Sequence, residues 1–275
     1  MGSERSAASD GSVEVLAGGV ANAGAVVRVG DHVLRPTSTH TPAIHRYLHH
    51  VRAAGCDAVP EVVGLEPDGR ERLVFVDGDV PLPPFPAWSY APATLASTAA
   101  LLRRIHDASV GFDAHGLSWS TEMADPRAGG RDDVICHNDV CPENVVYRGG
   151  VAVAIVDWEF AAPGRRLHDV AALARMCVPI DSPEDAARLG RGASDPFGGI
   201  AAVADGYGLS DGDRVELVEV LGGQIERGGA FVQRRVDAGD EAFIAMWEAM
   251  GGAARFERRR RWFDDNRQRL VDAVT

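Results

Sequence analysis

The run Val134-Ile135-Cys136-His137-Asn138-Asp139-Val140-Cys141-Pro142-Glu143-Asn144, followed by Ile155-Val156-Asp157-Trp158-Glu159, sets two carboxylates and a carboxamide at the spacing that phosphoryl transfer needs. Asn144 and Asp157 are hard oxygen donors, the kind magnesium prefers when it shares its shell with substrate phosphates and water. Asp139 is then left to face an acceptor hydroxyl. An aspartate with a pKa near 4 is a feeble base toward an alcohol. In a loose transition state the hydroxyl loses its proton late, so orientation matters more than basicity. His137, two residues before the carboxylate, is the other candidate catalytic residue, and its place suits it to bracing the loop.

The surrounding pattern supplies elements to hold these groups. The apolar run Val134 to Cys136 delivers His137 and Asp139 into a loop. Val145 to Tyr147 reads as a strand, Arg148-Gly149-Gly150 as a tight turn and Val151 to Val156 as the returning strand, which brings Asp157 back to Asn144. Upstream, Glu14 to Leu16, Ala25 to Val29 and His32 to Arg35 read as three strands joined by turns at Gly18-Gly19, Ala21 to Gly24 and Gly30-Asp31. A helix over Pro42 to Ala54 and strands over Ala58 to Gly64 and Glu71 to Val76, with Glu66-Pro67-Asp68-Gly69 turning between them, complete a five-stranded sheet. The proline-rich stretch Gly78 to Pro92 disfavours helix and sheet alike and reads as a connector. Helices follow, at Ala93 to His106 with Leu95, Ala99, Leu102 and Ile105 on one face, around His168-Asp169, and at Gly199 to Tyr207, Asp213 to Arg227, Glu241 to Met250 and Ala254 to Asp272.

The pattern His-x-Asp-x-x-x-x-Asn followed by a hairpin ending in Asp, here HNDVCPEN and IVDWEFA, resembles the aminoglycoside phosphotransferase and choline kinase-like branch of the protein-kinase-like fold. That resemblance implies an α+β, two-lobed protein-kinase-like fold: a tail over 1–12, a small nucleotide-binding lobe with a five-stranded antiparallel sheet over 13–77, a connector over 78–92 and a larger, mainly helical lobe over 93–275. It implies ATP or GTP as donor with Mg2+ held by Asn144 and Asp157. Gly18, Gly19 and Asn22 would cover the nucleotide, and Phe75, Val76 and Asp77 would meet its base. All 28 Lys+Arg residues are arginine, so Arg35 stands where the family's phosphate-binding lysine would be. The helix over Pro42 to Ala54 carries no acid to pair with it, which leaves His45 or His49 to line the pocket. Asp169 takes the place of the aspartate that buttresses the catalytic loop. Glu159, Asp181, Glu184 and Asp185 are the candidate acceptor-binding acids, with Asp237, Asp240 and Glu241 as a second rim.

With 275 residues, 45% of them hydrophobic, the chain can bury a sizeable core. It has no 18-residue apolar stretch, and Met1 to Ser12 lacks the apolar centre of a signal peptide. Cys56, Cys136, Cys141 and Cys177 have no zinc-type spacing and read as buried free thiols of a cytoplasmic protein, monomeric or homodimeric. The net charge of -12 weighs against a nucleic-acid polymer as partner and suits a cationic small molecule. Arg258 to Arg261 read as a solvated helix face beside the packing stripe Phe256, Trp262 and Phe263. The expected activity is phosphorylation of a hydroxyl on a cationic, aminoglycoside-like antibiotic, which is resistance by modification. The alternatives are a metabolic kinase of an amino alcohol, sugar or homoserine-like acceptor, and a nucleotide-binding pseudokinase, motivated by the missing lysine and its glutamate.

Overall fold

A computed structural model describes residues 13–16 and 24–275. Gly18, Gly19 and Asn22 lie outside them. Five short strands, β1 (Val13–Val15), β2 (Val27–Val29), β3 (His32–Arg35), β4 (Val62–Leu65) and β5 (Glu71–Val74), form an antiparallel sheet in the order β1-β2-β3-β5-β4. The β3–β5 register sets Arg35 directly opposite Glu71. Helix α1 (Thr41–Ala53) carries proline in its first turn, where a missing N–H costs nothing, and buries Ile44, Tyr47, Leu48 and Val51, its apolar positions at helical spacing. The strand expected from Ala58 begins only at Val62. Ala58 and Val59 are instead buried loop, and the Ala58 carbonyl accepts the Ile155 amide across the lobe boundary.

The second lobe is helical around two small ribbons. Its helices are α2 (Pro92–Ala108), α3 (Arg166–Cys177), α4 (Pro183–Arg188), α5 (Pro196–Tyr207), α6 (Asp211–Asp237), α7 (Glu241–Met250) and α8 (Gly252–Val274). Strand β6 (Val134–Cys136) pairs with β9 (Ala162–Gly164), and β7 (Val145–Arg148) with β8 (Val151–Ile155). Helix α2 packs along α5, α3 along α6, and α8 across both α5 and α6. One contiguous apolar core runs from Ile44 and Leu73 in the small lobe to Leu221 and Leu270 in the large one.

Helix α6 continues ten residues past the expected end at Arg227, through Gly228-Gly229, where two glycines weaken a helix by about 1 kcal/mol each. Packing against α3 and α8 carries the helix through, and close approach requires the glycine: a Cβ on Gly228 would stand 2.6 Å from the guanidinium Nη1 of Arg175. All four cysteines are buried and unpaired, as expected. Among the described residues no helix is long and apolar enough to cross a membrane.

Candidate active site

The loop after β6 is built around a buried carboxylate. Asp169, on the first turn of α3, accepts the backbone N–H of His137 on Oδ2 at 2.7 Å and that of Asn138 on Oδ1 at 2.8 Å. His106, at the end of α2, donates from Nε2 to Oδ2 at 3.0 Å, while Tyr207 OH lies 2.7 Å from its Nδ1. Burial alone would raise the Asp169 carboxyl, but the His106 hydrogen bond and charge, with the loop amides, hold it below the usual carboxylate range. Asn138 adopts φ 67° and donates its side-chain amide to the Phe160 carbonyl. A non-glycine residue keeps that backbone only where its surroundings over-determine it.

His137 closes the loop. Its Nε2–H donates to the Val156 carbonyl at 2.9 Å, its Nδ1 accepts the Asp139 N–H at 3.3 Å, and its ring meets Trp158 edge-on at 4.6 Å. Burial lowers its pKa, so the ring stays neutral. Both ring nitrogens of His137 are thus engaged within the loop.

Asp139 is fixed by the residue five places on. Asn144 Nδ2 donates both to the Asp139 carbonyl at 2.9 Å and to its Oδ2 at 3.1 Å, which turns the Asn144 Oδ1 the other way. Burial pushes the Asp139 carboxyl up to about 6, with Arg175 opposing and the charges of Asp157 and Glu143 adding. The β7–β8 ribbon closes where Val156 N–H donates to the Asn144 carbonyl at 2.8 Å, and Asp157 follows at φ 63°. Among the described residues no three His, Cys, Asp or Glu side chains gather into a metal cage. The Asn144 amide oxygen and the Asp157 carboxylate are two hard donors, which fits a magnesium ion that takes the rest of its shell from phosphates and water.

The small lobe contributes Arg35, 8% exposed. Its Nη2 lies 2.7 Å from Asp157 Oδ1 and 3.4 Å from Glu159 Oε2, and its Nε 3.3 Å from Glu71 Oε1. Burial opposes its charge, but Asp157, Glu71 and Glu159 more than offset that and raise the guanidinium pKa. The acid missing from α1 is thus supplied by the neighbouring strand, and α1 contributes His45, whose Nε2 sits 2.6 Å from Glu71 Oε2. His49 is exposed. The Glu71 pairing depends on strand register across more than thirty residues, and the charged pair Glu71-Arg72 opening β5 gives no local signal of it. Arg35, Thr37, Ser38, Glu71, Asp157 and Glu159 line one cleft between the lobes.

At the connector, Phe75 N–H already donates to the Asp31 carbonyl at 2.8 Å and the Asp77 carbonyl accepts Arg148 Nε at 3.0 Å. These two backbone groups are engaged within the protein. Gly78 presses on β7 so closely that a Cβ would stand 2.6 Å from the Tyr147 carbonyl, and Asp79 and Tyr147 exchange backbone hydrogen bonds. The segment bearing Val76 is held at both ends.

The acids of the stretch after α3 are paired with arginines of the protein. Asp181, 5% exposed, lies 3.3 Å from Arg255 Nη2 and 3.5 Å from Arg259 Nε. Asp185 accepts Arg258 at 2.9 and 2.7 Å and the Ser182 hydroxyl, so burial is outweighed and its carboxyl stays below the ordinary range. Glu184 is exposed and pairs with Arg188 one turn on. Arg258 and Arg259 are therefore staples between α8 and the α3–α4 region, a correction to the solvated face expected there. Arg260 and Arg261 do point to solvent. In the second rim, Asp240 caps α7 and Asp237 accepts Gln233.

Comparison with known proteins agrees with this geometry. The family profile described as "Phosphotransferase enzyme family" (APH) matches residues 113–205, which hold the catalytic loop, the β7–β8 ribbon and Asp169. The trifolitoxin immunity protein of Rhizobium leguminosarum bv. trifolii is 32% identical over 199 residues, 71% of this chain and 75% of the relative. The chain belongs to the APH phosphotransferase family. Solved structures give this phosphotransferase the same fold. A choline/ethanolamine kinase family protein from Mesorhizobium loti superposes with a TM-score of 0.65 at 19% identity, over 98% of this chain and 94% of that one. Aminoglycoside 2'-phosphotransferase-IIIa in its GDP complex superposes at 0.55 with 15% identity, over 94% and 93%. An O-phosphotransferase of this family uses a nucleotide donor.

Proposed function

We propose that this phosphotransferase moves the γ-phosphoryl group of ATP or GTP onto a hydroxyl of a small-molecule antibiotic or toxin and so confers resistance to it. The observation that carries the reading is the position of Asp139, fixed through Asn144 on one side and through the Asp169-anchored loop on the other. The acceptor oxygen forms a bond to the γ-phosphorus as the bond to the β-bridging oxygen breaks. The nucleoside diphosphate leaves, and the hydroxyl proton passes late to Asp139. Asn144 and Asp157 would hold magnesium, which when bound neutralises charge on the phosphates. Arg35 offers a charge that is never lost and can fork onto two phosphate oxygens.

Resistance, rather than housekeeping phosphorylation, is supported by the 32% identical relative, named for immunity to a toxin. A purely nucleotide-binding role is disfavoured because Glu71 and His45 rebuild the polar pairing whose absence had suggested it. Of the acids proposed for a cationic acceptor, Asp181 and Asp185 are paired with arginines within the protein, while Glu159 lines the cleft. The test is coupled ADP release with magnesium across hydroxylated antibiotics, toxins, sugars and amino alcohols, for the parent and Asp139→Asn. We expect acceptor-dependent release that falls at least 1000-fold in the variant, on the scale of losing a positioned proton acceptor and its orientation. Release that Asp139→Asn leaves intact would overturn the assignment.

A further inference from the structure

We propose that Arg175 binds an anionic group, a carboxylate or phosphate, on the acceptor, which makes the substrate a hydroxylated acid rather than a polycation. The proposal deepens the phosphotransferase reading and rests on it. Arg175 lies in the last turn of α3, and its side chain reaches across to α6, where the missing Cβ of Gly228 leaves room for its Nη1. Among the described residues no carboxylate lies within ion-pair distance of it, and its Nε is buried without a hydrogen-bond partner. Its charge is nevertheless felt at Asp139, where it is the leading influence opposing burial.

Shortage of acids does not explain an unpaired guanidinium. The chain carries twelve more acids than bases, and the buried or half-buried Arg35, Arg165, Arg214, Arg255 and Arg258 each face a carboxylate, while the buried Arg191 is held by the Met176 carbonyl and the Phe85 ring. Arg227, the residue before Gly228, repeats the pattern: its Nε is buried and unpartnered, and no carboxylate among the described residues is within ion-pair distance. Burial presses the Arg175 pKa down to about 10, with the like charges of Arg259 and Arg227 adding to that and Asp139 opposing it. Arg259 itself is occupied, donating to the carbonyls of Ile180 and Arg175 and facing Asp181. A cation desolvated without a partner is costly, and perturbed charges of this kind cluster at functional sites. The last turn of α3, which carries Arg175, meets the Asp139 loop where the Cys177 thiol donates to the Val140 carbonyl at 3.4 Å, and a guanidinium on that turn would fork onto an acidic group of the same molecule and would repel an ammonium group placed there.

Matched acceptors decide the matter. ADP release would be measured with magnesium-nucleotide and pairs of hydroxylated compounds, each as the free acid and as its neutral amide: hydroxy acids, N-acyl serine and threonine, and short serine-ended peptides. We expect release with free acids, at least 100-fold weaker with the amides, and Arg175→Met to erase that preference by lowering kcat/KM for the acids while leaving the nucleotide KM unchanged. Arg175→Lys should restore part of it, and melting temperatures should show that both variants fold. Equal rates for acids and amides would overturn the proposal. So would an Arg175→Met loss shared equally by both, which would assign the guanidinium to Asp139 alone. Release only with neutral or cationic acceptors, abolished by Asp139→Asn, would overturn the anionic acceptor and leave the phosphotransferase reading standing.

Discussion

Two clusters of arginine and carboxylate flank the catalytic loop, and they balance their charges in opposite ways. Around Arg35, one guanidinium meets Glu71, Asp157 and Glu159 on the wall of a cleft. Around Asp181 and Asp185, two carboxylates meet Arg255, Arg258 and Arg259 between packed helices. The first has acid in excess and lies where a divalent cation and phosphates could join it. The second has arginine in excess, is closed, and ties α8 to the rest of the lobe. The same two residue types thus make a ligand site in one place and a structural staple in the other, and local charge balance with access separates them.

Breaking the staple should produce the largest effect on stability. Asp181→Asn leaves two buried guanidinium groups without their carboxylate and should cost about 3 kcal/mol by denaturant melting, with kcat/KM for the acceptor unchanged in the folded protein. A large change in acceptor KM at wild-type stability would return Asp181 to the binding surface.

Asp139 should behave in the opposite sense. The folded pKa of Asp139, about 6, lies above its ordinary value of 3.8, so the native state holds the proton more tightly. Below pH 4 the group costs nothing; as pH rises through 6 the native state loses stability relative to the unfolded chain. Asp139→Asn should therefore raise stability by about 2 kcal/mol at pH 7.5, less than the full shift implies because the carboxylate is partly open to solvent, and by almost nothing below pH 4. Equal stability of the two proteins at pH 7.5 would contradict the strained environment described for this residue. The smallest expected effect tests the cleft: Glu71→Gln removes the acid opposite Arg35 and should weaken binding of a fluorescent nucleotide about threefold to tenfold, up to about 1.4 kcal/mol.

What could be read from the chain divides along the same line. The loop, the ribbon and Asp169 are readable because their chemistry lies within short windows: an apolar run, a Gly-Gly turn, and a His-Asp pair opening a helix. Strand β9 was missed because Ala162-Pro163-Gly164 has a proline and is only three residues long, which suits an edge strand and leaves no pattern to detect. Helix α4 has a legible cap, Ser182 accepting the Asp185 N–H, but at six residues its acidic first turn reads equally as a loop of ligands. Glu71 and the Arg255 to Arg259 staples depend on strand register and helix crossing over tens of residues. Residue type alone does not distinguish a carboxylate already neutralised from one still facing a cleft.

The most direct test of the central claim is nucleotide binding with and without magnesium, followed by a fluorescent ATP analogue, for the parent, Asp157→Asn and Asp139→Asn. If Asn144 and Asp157 hold the cation while Asp139 serves the acceptor, magnesium should tighten binding in the parent and in Asp139→Asn alike, and Asp157→Asn should lose most of that gain. A magnesium effect that survives Asp157→Asn and disappears with Asp139→Asn would contradict the division of labour assigned to these residues.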